Sequence, residues 1–171
     1  GMLFVRNSDI GSLPGCKLPW DGVQIWGNDD LPRTFANQGW MFITNNSSIS
    51  DSRSGVLVGR PAAKDGFPIL EGGGVLVASG GTTFRNNHVD ITFYNYTRER
   101  NRSYITGCHF VADSAIVVPA SPQLLNKQYI VLLGVRTIKI TKSSFENSFD
   151  SSAIAVENIN STVWRSEERR V

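Results

Sequence analysis

Acidic and aromatic side chains are the groups in this 171-residue chain that could act on a ligand or hold one. Asp29 and Asp30 form an adjacent acidic pair in a candidate loop at residues 28–34, and Trp26 precedes them. Paired carboxyl groups carry out glycoside hydrolysis, and an exposed indole ring can stack on a sugar. The sequence therefore predicts a binding site at Trp26, Asp29 and Asp30. The alternative interpretation of the acidic pair is an exposed Asp-rich turn.

Further sets of residues with catalytic or metal-binding spacing are missing from the sequence. Neither His88 nor His109 has partners at the spacing of a metal site or a nucleophile triad. The glycines at residues 72–74 precede a strand-like segment, whereas a phosphate-binding loop would precede a helix. We predict no catalytic residue, no metal and no cofactor.

Composition limits the classes of function further. The formal net charge is only +2, so we expect no nucleic-acid partner. No run of about 18 apolar residues is present, so we expect no membrane span. Two cysteines, Cys16 and Cys108, are too few for a disulfide framework, and the sequence leaves open whether they pair or remain two buried thiols.

The elements that would position any site are short strands that recur in a repeat. Segments with alternating apolar residues end at Gly, Asn, Ser or Asp, and four segments share one plan around an apolar central residue. These central residues are Ile49, Phe84, Phe110 and Phe145, separated by 35, 26 and 35 residues. Repeats of this kind predict a right-handed parallel β-helix, an all-β solenoid, in which the four side chains stack inside successive coils.

Corners between the strands are expected to need residues that tolerate left-handed backbone conformations. Asp51, Asn86 and Asn147 each follow a central residue by two positions. We predict that they form an inward polar ladder, with side chains bonded along the solenoid axis. An exposed Asn-rich turn without a ladder is the alternative. Residues 28–34, 60–68 and 119–126 are predicted to be insertions that leave the coils unchanged.

The last seven residues, 165–171, resemble the translation of a sequencing-adapter oligonucleotide. We therefore expect one β-helix domain at residues 1–164 and a non-native tail at 165–171, with a genuine charged terminus as the alternative. We also expect that the chain is a fragment without its signal peptide.

The order of the motifs resembles the right-handed β-helix segments of large bacterial surface proteins, in the pectate-lyase-like superfamily. The resemblance runs from about Leu13 to Ile159, and its motifs lie at residues 20–27, 39–40, 48–51, 72–76 and 82–87. Such proteins often carry a C-terminal sorting domain for type IX secretion. The resemblance implies a secreted or cell-surface location.

These observations favour a non-catalytic scaffold or adhesin-like segment. The alternative is a polysaccharide lyase or glycoside hydrolase of the β-helix type that acts on uronic-acid polymers. The expected partners are carbohydrate or other cell-surface components. We also expect the end coils to self-associate, because they would expose unpaired strand edges.

Overall fold

The computed structural model describes residues 1–13, 16, 18–28, 30–64, 67–96, 100–113, 116–118, 121–124, 128–148, 153–159 and 163–166. These residues form twenty β-strands and no helix. No helix in this part of the chain is therefore long and apolar enough to cross a membrane. The predicted all-β fold class is confirmed.

Sixteen of the strands form three sheets in which every pairing is parallel. Sheet one contains, in spatial order, β1 (Met2–Arg6), β4 (Trp40–Thr44), β9 (Val75–Ser79), β12 (Tyr104–Thr106), β17 (Ile138–Thr141) and β20 (Val163–Ser166). Sheet two contains β2 (Asp9–Ile10), β5 (Ser48–Ser50), β10 (Thr83–Arg85), β13 (His109–Ala112) and β18 (Ser144–Asn147). Sheet three contains β3 (Val23–Ile25), β6 (Ser54–Val58), β11 (Val89–Phe93), β16 (Gln128–Leu133) and β19 (Ile154–Ile159). The chain visits the three sheets in turn, so the fold is a parallel β-solenoid.

Alternation along each strand places one set of side chains inside the solenoid. In sheet one, the buried residues Val5, Ile43, Ala78, Ile105 and Ile140 follow one another from coil to coil in one register column. Residues at matching positions stack because strands in adjacent coils lie about 4.8 Å apart. Burying each of the larger aliphatic side chains contributes roughly 1.5–3 kcal/mol.

The four central residues of the repeat lie in one column of sheet two. Ile49 is in register with Phe84, Phe84 with Phe110, and Phe110 with Phe145. The rings of Phe110 and Phe145 stack with centroids 4.7 Å apart. Ile49, Phe84 and Phe110 are fully buried, so the predicted column of stacked side chains is present in the interior.

The predicted turn ladder is interrupted. Asp51 and Asn86 occupy equivalent corners and have left-handed φ angles of 56° and 53°. Asp51 is exposed, however. In the fourth coil the equivalent corner position is occupied by Ala112, which is in register with Asn147 of the fifth coil. The inward polar position lies one residue later. There, the side-chain oxygen of Asn87 accepts a hydrogen bond of 2.6 Å from the hydroxyl of Ser52. The residues that follow Asp51 and Asn86, Ser52 and Asn87, are both fully buried.

Two of the three predicted insertions contain strands. Residues 60–68 belong to an antiparallel hairpin of β7 (Arg60–Lys64) and β8 (Phe67–Glu71). Residues 119–126 overlap the hairpin of β14 (Ile116–Val118) and β15 (Ser121–Leu124). Residues 28–34 contain no strand where the structure describes them. The domain boundary at 164 stays a prediction, since 165 and 166 belong to β20 and 167–171 lie outside the described residues.

Both cysteines have free thiols. Cys16 is exposed and Cys108 is fully buried at the corner between sheets one and two.

Candidate binding surface

Three insertions leave the solenoid at the same corner, where the chain passes from sheet three back to sheet one. They are residues 26–39, the hairpin at residues 60–71 and residues 94–103. Described residues of the three are in contact, since Arg60 lies over the Trp26 ring and the Tyr96 hydroxyl donates to the Leu31 carbonyl. We call them the corner surface.

Arg33 holds the first insertion in place. Its side chain is 1% exposed, and its guanidinium donates hydrogen bonds to the carbonyl of Gly74 at 3.0 Å and to Oδ1 of Asn101 at 2.6 Å. The guanidinium carbon also lies 3.8 Å from the centroid of the Tyr96 ring. The Tyr96 hydroxyl in turn donates to the carbonyl of Leu31 at 3.0 Å. A buried cation–π contact is worth about 2 kcal/mol, so these contacts fix the first insertion to the third.

Gln38 closes the base of the same insertion. Its Oε1 accepts hydrogen bonds from the backbone amides of Asn28 and Gly74, at 2.9 and 3.1 Å. Its Nε2 donates to the carbonyl of Asn28 at 2.6 Å. A Cβ at Gly27 would lie 2.0 Å from Gln38 Oε1 and 2.2 Å from the Gly74 amide nitrogen. This close approach of two backbone segments therefore requires glycine.

A cleft of about 650 Å³ lies beside this insertion. Its lining residues include Trp26, Gln24, Asn37 and Arg60 together with apolar residues such as Leu3. Trp26 is 56% exposed. Its indole nitrogen donates to Oε1 of Gln24 at 2.8 Å, and the Arg60 guanidinium lies 5.7 Å from the ring centroid. An aromatic ring fixed in orientation beside amide groups can bind a ligand that has both an apolar face and hydroxyl groups.

The three predicted binding residues do not meet in this cleft. Trp26 lines it, but Asp30 is absent from the described lining and is exposed on the insertion. The Asp30 amide donates to Oδ1 of Asn28 at 2.9 Å, as in a turn stabilised by an asparagine side chain. Asp29 lies outside the described residues.

Two other described carboxyl groups, those of Asp9 and Glu146, are exposed on the outer face of sheet two but lie far apart. On sheet two, Oδ1 of Asp9 accepts a hydrogen bond of 2.6 Å from the Ser48 hydroxyl. Glu146 lies on the same sheet four coils away, a separation of about 19 Å at the usual strand spacing. Inverting glycosidases need carboxyl groups roughly 6.5–9.5 Å apart. Within the described residues, no three His, Cys, Asp or Glu side chains come together at a metal-binding distance.

The carboxylate of Asp113 has two side-chain partners at its turn. Nδ2 of Asn86 donates to Oδ1 of Asp113 at 2.9 Å, and Arg85 forms an ion pair with the carboxylate. The Asn86 hydrogen bond, and secondarily Arg85, hold the pKa of Asp113 below its usual value. The Asp113 amide also donates back to Oδ1 of Asn86 at 2.9 Å. This reciprocal pair is a structural clip between two coils.

A polar group is also buried inside the solenoid, at the corner between sheets two and three. Nδ2 of Asn87 donates to Oδ1 of the buried Asp90 at 2.7 Å. Tyr129 lies nearby, and burial and the charge of Asp90 raise the pKa of its hydroxyl. That hydroxyl donates to the carbonyl of Glu146 at 2.6 Å. The interior is therefore apolar along the sheets and polar at this corner.

Sequence reasoning missed Arg33, Gln38, Tyr96 and Asn101. The partners of Arg33, Gly74 and Asn101, lie 41 and 68 residues away in sequence, so no local pattern marks this arginine. The glycines at 27, 73 and 74 were the available signal for a close backbone approach.

Comparison with protein-family models, with curated proteins and with solved structures gives no match.

Proposed function

We propose that this chain is a non-catalytic β-solenoid scaffold, an adhesin-like segment of a secreted or cell-surface bacterial protein. In this role, the solenoid supplies a rigid axis and the corner surface supplies contacts to carbohydrate or other surface components. One fold supports many unrelated functions, so the surface residues, and not the solenoid itself, indicate the role.

One observation carries the proposal: a buried arginine holds the insertion that presents a half-exposed tryptophan. Arg33, at 1% exposure, fixes the insertion that presents Trp26, at 56% exposure. A binding group on a rigid support loses little conformational entropy when a ligand binds.

The outer face of sheet two supports a structural role. Its outward column contains Asp9, Ser48, Thr83, His109 and Ser144, in register from coil to coil. The hydroxyl of Ser48 bonds to Asp9, and Nδ1 of His109 lies 2.9 Å from the hydroxyl of Ser144. Two pairs in this column therefore bond along the axis, which supports a structural role for this polar face.

The test has a binding arm and a turnover arm. In the binding arm, the chain is applied to an array of immobilised glycans, and Trp26→Ala is compared with Leu18→Ala, another exposed apolar residue. We expect retention of one or more glycans that Trp26→Ala abolishes and Leu18→Ala preserves. Retention that is identical in both variants would refute a role for the cleft.

In the turnover arm, the chain is incubated with uronic-acid polymers, and new reducing ends and unsaturated products are measured. The proposal expects neither product. Turnover that is lost on Asp29→Ala or Asp30→Ala would overturn it in favour of a β-helix polysaccharide enzyme.

We also propose that the end coils self-associate. β1, β2 and β3 are the outermost strands of their sheets, and the outermost inward side chain Leu3 is 44% exposed. Strand edges of this kind pair with other chains. Monomeric elution in gel filtration at increasing concentration would contradict this.

A further inference from the structure

The inward columns of the solenoid are fully buried along its length and only partly buried at its two ends. We call β1, β2 and β3 the first coil, and β17, β18 and β19 the fifth coil. In sheet two, the column begins at Ile10 of the first coil and ends at Phe145 of the fifth. Its middle members Ile49, Phe84 and Phe110 are 0% exposed, whereas Ile10 and Phe145 are only partly buried. Each end of the solenoid therefore leaves one apolar side chain of this column half-covered.

Sheet three ends in the same way. Its inward column begins at Val23 and ends at Val156, with Val56, Ile91 and Ile130 between them. The three middle residues are 0% exposed, and Val23 and Val156 are only partly buried. The first and fifth coils therefore present the two ends of the same columns, and both ends have apolar area left to bury.

Sheet one differs at the fifth coil, because a further strand covers β17. β20 pairs with β17 in parallel register from Ile138 to Thr141, whereas β18 and β19 are the last strands of their sheets. Ile138 and Ile140 of β17 are accordingly 0% and 8% exposed. β20 thus closes one of the three strand edges at this end of the solenoid.

The polar residues of the two ends are complementary as well. Asp9 and Ser144 are the two ends of one outward column of sheet two. If a first coil is placed on a fifth coil with the register continued, the Ser144 hydroxyl meets the Asp9 carboxylate. That contact repeats one present within the chain, where the Ser48 hydroxyl bonds to Asp9 at 2.6 Å. In sheet three, the same placement brings the carboxamide of Gln24 to the carboxylate of Glu157.

The loops of the first coil leave its outer edge uncovered where the structure describes them. Arg33 bonds to Gly74, which directly precedes β9, and to Asn101, which lies between β11 and β12. The indole nitrogen of Trp20 donates to the carbonyl of Ser50 in the second coil at 2.8 Å. Both loops therefore extend toward later coils, away from the free edge.

β20 occupies the position that β1 of a second copy would take. In a continued register, β1 of the second copy pairs with β17, its β2 with β18 and its β3 with β19. If β1 paired with β20 instead, sheets two and three would each lack one strand, and their end strands would be about 9.6 Å apart, twice the usual spacing. β20 and the second copy therefore compete for the same strand edge.

We propose that a second copy of this chain adds head to tail, with its first coil on the fifth coil, and that β20 is a strand cap that limits this addition. The inference rests on the proposed self-association of the end coils. It names which ends meet and what controls the contact. Because the contact is heterologous and does not close, it continues into a linear assembly.

The cap is tested in the full chain by sedimentation velocity over a range of protein concentrations. Trp164→Pro removes a backbone donor in the middle of β20 and prevents its pairing. We expect this variant to associate at a concentration at least tenfold lower than the parent. Leu124→Pro, in the hairpin of β14 and β15, is the matched control and should associate as the parent does. A synthetic peptide of residues 160–171, added in excess, should reverse the association of Trp164→Pro by filling the edge of β17.

The parent chain provides a test without substitution. Association releases β20, so amide hydrogen exchange in residues 163–166 should become faster as protein concentration rises. Exchange that is independent of concentration in associated protein would contradict the competition.

The polarity of the contact is tested with charges at each end in the Trp164→Pro background. Ile10→Lys blocks the first coil and Phe145→Lys blocks the fifth, because an inward charge prevents pairing at a strand edge. Each variant alone should be monomeric, and an equimolar mixture should form heterodimers. Thr83→Lys, on the outer face of the third coil, should associate as its background does. Circular dichroism establishes that each variant keeps its fold.

Four results would overturn the inference. Homodimers of the Phe145→Lys variant would show that two first coils meet, and homodimers of the Ile10→Lys variant would show that two fifth coils meet. A folded Trp164→Pro variant that associates no more readily than an associating parent would remove the role of β20 and leave the proposed self-association intact. Monomers of parent and Trp164→Pro at every concentration would instead refute that self-association itself.

Discussion

The rings of Phe84 and Phe110 lie one coil apart, with centroids 5.1 Å from each other and planes 7° from parallel. Phe110 also stacks on Phe145 and meets the edge of Tyr129, at a centroid distance of 6.2 Å. The third, fourth and fifth coils therefore contact one another through one ring each in sheet two, and Phe110 lies between the other two rings.

Phe110→Ala is expected to destabilise the solenoid by about 3–5 kcal/mol, because it removes a fully buried ring and leaves a cavity between two coils. The measurement is the urea unfolding midpoint followed by circular dichroism. Phe4→Ala is the matched control, since that ring is 53% exposed. Equal loss in the two variants would contradict the assignment of Phe110 to the core.

Arg33→Lys should release the first insertion even though it keeps the positive charge. A lysine ammonium lacks the planar fork that reaches Gly74 and Asn101 while stacking on Tyr96. We expect faster amide hydrogen exchange across residues 30–39, with exchange in β10 and β13 unchanged. Arg53→Lys is the control, because Arg53 forms an exposed ion pair at 3.8 Å, and it should leave hydrogen exchange unchanged both in residues 30–39 and in β10 and β13. Unaltered exchange in Arg33→Lys would show that the insertion is held by other contacts.

The clip at Asp113 predicts a dependence of stability on pH. Because the pKa of Asp113 is lowered in the folded state, its contribution is fully present above the unfolded pKa of about 3.9 and is lost as pH falls through the folded pKa. Asp113→Asn should therefore lower the urea midpoint at pH 7, and the difference from the parent should shrink below about pH 4. Asp21→Asn, whose side chain is 84% exposed, should show little difference at any pH. A difference for Asp113→Asn that grows on acidification would reverse the assigned sign.

The two thiols should differ in reactivity. Burial raises the pKa of Cys108 to about 12, so the thiol stays protonated at pH 8, whereas Cys16 is exposed. Since the thiolate is the nucleophile, a disulfide reagent should label one thiol per native chain and the second only after unfolding. Rapid labelling of both thiols in folded protein would contradict the burial of Cys108.

Cys108 stands in a column of small polar residues, Ser47, Thr82 and Ser143, at equivalent corners. Its backbone amide donates to the Ser143 hydroxyl at 3.2 Å, and its own Sγ lies 3.6 Å from the Thr106 carbonyl. Cys108→Ser should therefore be tolerated within about 1 kcal/mol, since serine keeps the bond to the carbonyl. Cys108→Val should cost more, because the Thr106 carbonyl loses that donor. The urea midpoint distinguishes the two, and equal stability would show that the bond contributes nothing.

The sequence predicted the parts of the fold that repeat. Stacking makes residues at equivalent positions chemically alike, so Ile49, Phe84, Phe110 and Phe145 could be aligned without coordinates. The ladder of Asp51, Asn86 and Asn147 is interrupted because the residue two positions after Phe110, in the fourth coil, is Ala112. In that coil the partner of Asn86 is Asp113, and Ala112 occupies the expected polar position.

The binding surface could not be predicted in the same way. Arg33 bonds to residues on two later coils, and those contacts exist only because three insertions emerge at one corner. Trp26 was identified from its residue type and reaches the cleft, whereas Asp30 has the right chemistry but lies on an exposed turn. The stacking of Phe4 on Phe42 depends on the register of two strands whose paired residues are 38 positions apart in sequence, which an alternation pattern alone does not specify.

The backbone hydrogen bonds of all three sheets run from coil to coil, parallel to the long axis. A force applied along that axis would pull on the hydrogen bonds between one pair of coils at a time. The coils would then detach one by one, whereas a force across the axis would act on many hydrogen bonds at once. Extension would then proceed in steps, each releasing the chain length of one coil. The coils that carry hairpins would release the longest lengths of chain, so the step lengths would show the order in which the coils detach.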